Sequence, residues 1–361
     1  MEQILVINPG STSTKIAWFS GEDEMWSENI AHTREDLKQY TTVYDQVDMR
    51  YMLVLKAIQK HGNRLSDLDA VASRGGPIAP MKGGAYVVND EMVDVILHRP
   101  QDRHVSIIAA LIGRKIAQQA GVVAYVYDAV SVDEMLPVLK ITGYPGIYRR
   151  GQGHNLNMRA AAIRYCQTHG LAYKDVRLIV AHLGGGISVS LHLDGKIADI
   201  INDEDGCFAP ERAGCLPQTQ LVDLCYSGKF THEQMLRRLK GNAGLNAWFG
   251  TNDTRDVEKM IADGNPKAKL VYEAMAINVA RNIGKEAPVC EGKIDQIILT
   301  GGIAYSSSFC DMIVKHVSWI APVSIIPGEN EMSALALGVL RVLRGTEQAR
   351  IFHEEPEWTL V

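Results

Sequence analysis

The chain carries no paired-cysteine motif: Cys166, Cys207, Cys215, Cys225, Cys290 and Cys310 are widely scattered, without a CxxC among them. Such spacing speaks against a disulfide framework or a thiolate zinc site and leaves reduced core or surface thiols. No apolar run approaches the length of a membrane span, and Met1-Glu2-Gln3 leads directly into a strand without a basic segment and apolar signal region. The expected compartment is therefore the cytoplasm, with no membrane partner. Positive charge is not in excess: 37 Lys and Arg against 42 Asp and Glu leave a net charge of −5. That balance argues against broad nucleic-acid binding while permitting local basic sites. No low-complexity linker interrupts the chain. What is present is 361 residues, 46% hydrophobic and 22% charged, enough to bury substantial cores in two domains.

The most informative feature is an internal echo. Ile4-Leu5-Val6-Ile7-Asn8-Pro9-Gly10-Ser11-Thr12-Ser13-Thr14-Lys15 is matched by Ile179-Val180-Ala181-His182-Leu183-Gly184-Gly185-Gly186-Ile187-Ser188-Val189, and Gly10 and Gly21 recur 174 residues later as Gly184 and Gly195. Each copy passes from an apolar run through one polar residue and a turn of small residues into a second run, a duplicated strand-turn-strand. A turn of Gly, Ser and Thr leaves backbone N–H groups and hydroxyls uncovered by bulk, which is what phosphate needs for close approach. Two such turns suggest one polyphosphate clamped between two halves; a pair of ordinary hairpins is the alternative.

The remaining periodicity is mixed α/β throughout. Helical spacing covers Tyr51 to Gln59 and Ile107 to Gln119, with strands at Ala70-Val71-Ala72-Ser73 and Val122 to Tyr127. Strand pairs near 179–201 are followed by helical stretches near 218–240 and 252–263 and a long helix from about Lys267 to Lys285. Ile297-Ile298-Leu299 reads as a buried strand running into Thr300-Gly301-Gly302, and Glu331 to Leu343 as a last helix closed by Gly345. Two βββαβα halves facing each other make a cleft between domains, a favoured place for ligands.

The motifs at these turns carry a family resemblance. Besides Asn8 to Lys15 and Ala181 to Ser188, they are Ser73-Arg74-Gly75-Gly76, Val132-Asp133-Glu134-Met135, Pro210-Glu211-Arg212-Ala213-Gly214, Leu299-Thr300-Gly301-Gly302-Ile303-Ala304 and Pro327-Gly328-Glu329-Asn330-Glu331-Met332. Their order and spacing resemble the butyrate kinases, within the acetate and propionate kinase group of the actin-like ATPase superfamily. The resemblance implies an α/β fold of two actin-like (ribonuclease H-like) domains with a duplicated βββαβα core and an interdomain cleft. It places an N-terminal domain at 1–130, regaining the final helix at 333–361, and a second domain at 131–332. It implies reversible transfer of the γ-phosphoryl of ATP to a short-chain carboxylate, with ATP/ADP and Mg²⁺ as cofactors and a homodimer or higher homo-oligomer as the assembly. The competing readings are a kinase for acetate, propionate or a branched acid such as isobutyrate, and a non-catalytic actin-like nucleotide-binding protein. Retention of both Arg74 and Arg212 favours the enzyme, because a nucleotide switch needs no carboxylate clamp.

Under the resemblance, Asn8, Ser11 and Ser13 hold phosphate oxygens and Lys15 adds positive charge; a lysine one residue beyond a strand end otherwise snorkels into solvent. Gly184, Gly185 and Gly186 oppose that turn, and His182 before them either contacts phosphate or is a hydrogen-bonded core histidine. Arginine suits a carboxylate or a phosphoryl group in flight because its guanidinium is a fork of donors. Arg74 is assigned to the acyl carboxylate and Arg212 to the transferring phosphoryl, against the alternative of surface ion pairs. Asp128, at a strand end, positions substrate or metal or caps the next element. His154 donates to phosphoryl oxygens or is a solvated loop histidine. Glu331 is assigned to Mg²⁺, with Glu329 as rival and helix-dipole complementation as the bland role. Gly301 and Gly302 form the adenosine-side motif. The chain departs from the family at Gly151-Gln152-Gly153, where butyrate kinases generally carry a Ser-Ile-Phe type stretch, and at Ala209, where serine is usual.

Overall fold

Residues 4–7 are fully buried because their strand lies inside a sheet covered on both faces, which is why the sequence there is a continuous apolar run and not an alternating one. The computed structural model describes residues 1–355 and Trp358. It divides into one unit formed by Met1–Glu134 with the chain from Asn330 onward, and another formed by Met135–Glu329. The first contains β1 (Gln3–Pro9), β2 (Ser13–Ser20), β3 (Asp23–Ala31), β4 (Ala70–Arg74), β5 (Ala85–Val87) and β6 (Val123–Tyr127). The second contains β7 (Leu178–Leu183), β8 (Ile187–Leu193), β9 (Lys196–Ile201), β10 (Gln296–Gly301) and β11 (Val323–Pro327), and β12 (Arg350–Ile351) returns to the first.

The two sheets have the same wiring. In the first unit the order is β12-β5-β6-β4-β1-β2-β3, with β1, β2 and β3 an antiparallel meander and β4 and β6 joining parallel to β1 and β4. In the second the order is β11-β10-β7-β8-β9, again a meander followed by two parallel additions. Parallel neighbours need a crossover. Helices Val47–Lys60 and Ile108–Ala120 serve in the first unit, and Pro266–Glu286 and Ser307–Val317 in the second. The duplicated βββαβα pattern expected from the echo is thus present in both.

Each unit has its own core. In the first, Leu5, Ile7, Trp18 and Val71 from the sheet meet Val54, Ile58 and Ile112 from the helices. In the second, Ile179, Leu191 and Ile297 meet Met275, Ile283 and Phe309, while Val180 and Ile298 pack on the opposite face against Met158 and Ala162 of helix Asn155–Thr168. Burying each such side chain contributes roughly 1.5–3 kcal/mol.

The structure corrects several details. The helical stretch expected at 218–240 is two helices, Gln218–Tyr226 and His232–Leu239, because Gly228 takes φ 71° and Thr231 begins the second with a capping box to Gln234. Lys15 lies within β2, not beyond a strand end, since the hairpin turn is short. The first unit extends to Glu134, past the expected 130: Met81 N–H donates to Ser131 O and Asp133 N–H to Met81 O, tying 131–134 to it. It resumes at Asn330, before the expected 333, because Ala334 N–H reaches back to Asn330 O in the first turn of helix Glu331–Leu343. Residues 356–357 and 359–361 of the expected first domain lie outside the described residues. No described helix is long and apolar enough to cross a membrane.

Candidate active site

In the first unit the ends of β1 and β4 bring four of the singled-out residues together. Asn8, at the polar end of β1, donates from Nδ2 to Glu331 Oε2 at 2.7 Å. Arg74, at the end of β4, points a guanidinium nitrogen to within 3.8 Å of the other oxygen, Glu331 Oε1. Its other terminal nitrogen donates to the Asp128 carbonyl at 3.2 Å. Asp128 leaves β6 at φ 41°, a left-handed conformation uncommon for a residue with a side chain, and its Oδ1 accepts from Gly84 N–H at 2.8 Å. A strand end, a kinked aspartate and a helix start thus converge on one polar group.

The neighbouring hairpin carries the rest of the first-unit set. Gly10 N–H donates to Ser13 O at 2.8 Å and closes the turn, leaving Ser11 exposed and Ser13 half-buried. Lys15 pairs with Asn8 across the antiparallel register, so the two side chains emerge on the same face. His104, which the sequence did not mark, sits near enough to Arg74 to feel its charge: burial first, opposed by Asp102, and then Arg74 hold its pKa below the ordinary histidine value.

In the second unit a denser group surrounds the glycine turn. His182, buried one residue before the end of β7, has its Nδ1 2.8 Å from Asn157 Nδ2. An amide nitrogen donates, so with the amide so oriented the proton of His182 is on Nε2, which faces Glu329 Oε1 at 3.2 Å. His154 stacks on His182, ring centroids 3.9 Å apart and planes 12° from parallel, with Nδ1 3.0 Å from Ser188 Oγ. The glycines admit this crowding. A Cβ on Gly184 would lie 2.9 Å from both His182 Nε2 and Glu329 Oε1, and one on Gly186 would lie 3.4 Å from the His154 ring.

Arg212 approaches the same turn from the Pro210–Gly214 loop, which is tied down by Glu211 N–H donating to Gly185 O at 3.0 Å. Its Nε is 3.2 Å from Asp203, and a terminal nitrogen is 3.6 Å from Glu211 Oε2. Gly301 stands one strand away, at φ 92°, where a Cβ would lie 2.4 Å from Leu183 O; a Cβ on Gly302 would meet open space. His154, His182, Gly184, Gly185, Gly186 and Arg212 are therefore gathered at one turn, with Gly301 and Gly302 beside it. The departures from the family pattern are accommodated: a Cβ on Gly153 would meet Ile200 Cδ1 at 2.4 Å and require that side chain to move, and Ala209 is fully buried.

Sequence reasoning assigns no supporting role to Asn157, Ser188, Asp203 or Glu211, although Ser188 and Glu211 stand inside the quoted motifs; for Asn157 and Asp203 the signal is closeness in sequence to His154 and Arg212.

Comparisons with known proteins give the family of the chain. The acetokinase family model matches residues 146–328. The chain is 45% identical over 350 residues to butyrate kinase 2 of Clostridium acetobutylicum, covering 96% of this chain and 98% of that protein. It is 44% identical over 353 residues to the probable butyrate kinase 2 of Caldanaerobacter subterraneus subsp. tengcongensis, covering 98% and 100%. The chain belongs to the acetokinase family. Among solved structures, this chain is similar to Porphyromonas gingivalis acetate kinase, with a TM-score of 0.80 at 17% identity over 95% of this chain and 100% of the other. It also resembles a propionate kinase from Francisella tularensis subsp. tularensis, with a TM-score of 0.75 at 18% identity over 94% and 99%. At that identity the likeness establishes the fold, the actin-like α/β architecture with two sheets.

Proposed function

We propose that this member of the acetokinase family is a butyrate kinase, moving the γ-phosphoryl group of ATP reversibly onto butanoate to give butanoyl phosphate and ADP. The observation that carries the reading is the 45% identity with the Clostridium acetobutylicum enzyme along nearly the whole chain. A carboxylate is already ionised at neutral pH, so its oxygen attacks phosphorus without a general base while the bond to the ADP bridging oxygen breaks. What the protein must supply is position and counter-charge.

The side chains suit those tasks. Arg74 offers the fork that a carboxylate takes, and Asp128, whose carbonyl it holds, fixes the end of β6 beside it. With the Ser188 hydroxyl donating to Nδ1, the His154 ring against the glycine turn would carry its proton on Nε2, and Asp203 and Glu211 steady the Arg212 guanidinium. These two are our donors to the phosphoryl in transfer. Asn8, Ser11, Ser13 and Lys15 in one unit, and His182 with Gly184, Gly185 and Gly186 in the other, are our phosphate-binding sets. Gly301 and Gly302 are assigned to the nucleoside.

Mg²⁺ fits Glu331. Among the described residues no cluster of three or more acidic, histidine or cysteine side chains could cage a metal. A single carboxylate at the first turn of a helix, already accepting from Asn8, is the donor set of an ion that takes its remaining ligands from phosphate and water. When bound, Mg²⁺ supplies neutralisation of phosphate charge.

The oligomeric assembly is part of the proposal, supported by exposed apolar side chains at Val138, Tyr144 and Ile147, and light scattering on the purified protein tests it. The activity is tested by trapping acyl phosphate with hydroxylamine in the presence of ATP, Mg²⁺ and acids from acetate to hexanoate. Butyrate or a close branched analogue should exceed acetate. Equal or greater efficiency with acetate would overturn the specificity, and ATP binding without any acyl phosphate would favour the non-catalytic reading.

A further inference from the structure

Behind the first glycine turn lies a cation with no counter-ion among the described residues. Arg50, on helix Val47–Lys60, is fully buried. Its Nε and one terminal nitrogen donate to Gln46 Oε1 at 3.1 and 2.9 Å. The other terminal nitrogen donates to Ser13 O at 2.8 Å and Thr14 Oγ1 at 2.9 Å. Every one of these acceptors is neutral, and among the described residues no carboxylate pairs with it. Burial lowers its pKa only to about 10, so the group stays charged at neutral pH. A buried, uncompensated charge is costly, and a hydrophobic side chain would fill the same space without that cost.

The place of this charge suggests its use. Ser13 O, which Arg50 grips, is the same carbonyl that accepts Gly10 N–H and closes the hairpin. Thr12 O is pulled the same way, accepting His32 N–H at 2.8 Å. Burial, and after it the Arg50 charge, opposed by Asp36, hold the His32 pKa below the usual imidazole value, and its Nε2 lies 2.8 Å from the Thr14 hydroxyl that Arg50 also reaches. Both turn carbonyls are thereby drawn inward. The N–H groups of Ser11 and Thr12 have no acceptor among the described residues. A turn with its carbonyls tied back and amides free, in front of a buried cation, favours an anion.

We propose that Arg50 is an electrostatic positioning residue for the polyphosphate of a nucleotide at the Gly10–Ser13 turn, acting through the backbone and without touching the ligand. The inference rests on the ATP-kinase reading and names a determinant within it. Gln46→Glu tests it directly. That change puts a carboxylate where Gln46 already accepts two guanidinium hydrogen bonds, neutralising Arg50 while preserving its geometry. It also adds an acid at a helix start, which favours folding. If Arg50 only holds the hairpin together, Gln46→Glu should leave nucleotide affinity unchanged and keep or raise the melting temperature.

The charge role predicts otherwise. Calorimetric titrations should show ATP and ADP binding weakened by about tenfold or more in Gln46→Glu, with adenosine binding unaffected, as expected for a charge acting across a short, water-poor distance. Arg50→Met should reproduce this loss and Arg50→Lys should recover part of it; if Arg50→Met fails to fold by circular dichroism, Gln46→Glu alone decides. Unchanged ATP affinity in a folded Gln46→Glu protein, or equal losses for ATP and adenosine, would overturn the proposal while leaving the kinase reading intact. A native protein that binds no ATP at all would overturn both.

Discussion

Arg74→Ala separates carboxylate binding from phosphoryl transfer. The guanidinium is nearly buried at the end of β4, holding the Asp128 carbonyl at 3.2 Å and lying 3.8 Å from Glu331 Oε1. If its substrate partner is the ground-state carboxylate, the loss is one charge-assisted interaction of roughly 1.5–3 kcal/mol. At 1.4 kcal/mol per factor of ten, the Michaelis constant for butanoate should rise by roughly 10- to 150-fold with kcat little changed. The same truncation leaves the buried Asp128 carbonyl without its donor, a cost of about 1–3 kcal/mol to the fold, so the variant must be assayed below its own melting transition. Arg74→Lys keeps the charge but loses the fork, and should fall between. Hydroxamate kinetics with butanoate varied at saturating ATP, beside calorimetric titration of ATP, give the answer. A large fall in kcat at an unchanged Michaelis constant for butanoate, or a loss confined to ATP affinity, would refute the assignment of Arg74 to the acid.

Alanine at His154 or at Arg212 should lower kcat by about a hundredfold or more while ATP affinity stays within a few-fold, as for removal of one preorganised donor; near-normal turnover would remove that residue from the mechanism. Gly184→Ala places a methyl 2.9 Å from both His182 Nε2 and Glu329 Oε1, forcing apart a pair now 3.2 Å from each other. By the usual cost of overpacking, ATP binding should weaken about tenfold, and calorimetry showing native affinity would refute the phosphate role of that turn. Glu286 is fully buried, and burial, reinforced by Asp199 and opposed by Arg149, raises its pKa well above the ordinary glutamate value. A raised carboxyl pKa means the folded state binds more protons, so its contribution to stability is complete below the unfolded value and lost as pH rises toward the folded one. Glu286→Gln should therefore gain melting temperature relative to the native protein as pH increases above the ordinary glutamate range and lose that advantage in acid; a difference independent of pH would contradict a protonated Glu286.

What the sequence disclosed follows from burial and period. β1 and β7 are covered on both faces and read as apolar runs, and helix Pro266–Glu286 repeats its buried positions at helical spacing through Val271, Met275, Val279 and Ile283. β11, half-exposed at a sheet edge, and helix Asn155–Thr168, whose buried face includes Asn155, Asn157 and Arg159, carry no such pattern and were not seen. Candidate residues that end strands or border glycines were visible; their partners were not. Asn8 and Glu331 are separated by 323 positions, and no local spacing relates them. Arg50 stands among Met49, Tyr51 and Met52 like any helical arginine, and only the tertiary structure shows that it is buried with no carboxylate partner among the described residues.

The two glycine turns share a backbone plan and differ in electrostatics. The first hairpin is backed by Arg50 and bordered by Lys15, with Glu331 set at the strand end against Asn8. The second is bracketed by carboxylates: Glu211 Oε2 would stand 3.2 Å from a Cβ on Gly185, and Glu329 Oε1 2.9 Å from one on Gly184. Those acids disfavour an anion unless something nearer offsets them. Arg212 is the nearby cation, and Asp203 and Glu211 at its Nε and one terminal nitrogen fix the plane of the guanidinium without covering all five donors. The histidines each have Nδ1 engaged by an uncharged neighbour, while His182 turns Nε2 to Glu329 Oε1 and the His154 ring lies against Gly186. Binding at the first turn can then rest on a fixed buried charge, whereas binding at the second depends on oriented N–H donors that give their full strength only to a group in the right place. A moving phosphoryl group, whose charge shifts between oxygens during transfer, is better served by the second arrangement, and a polyphosphate that must simply be held is better served by the first.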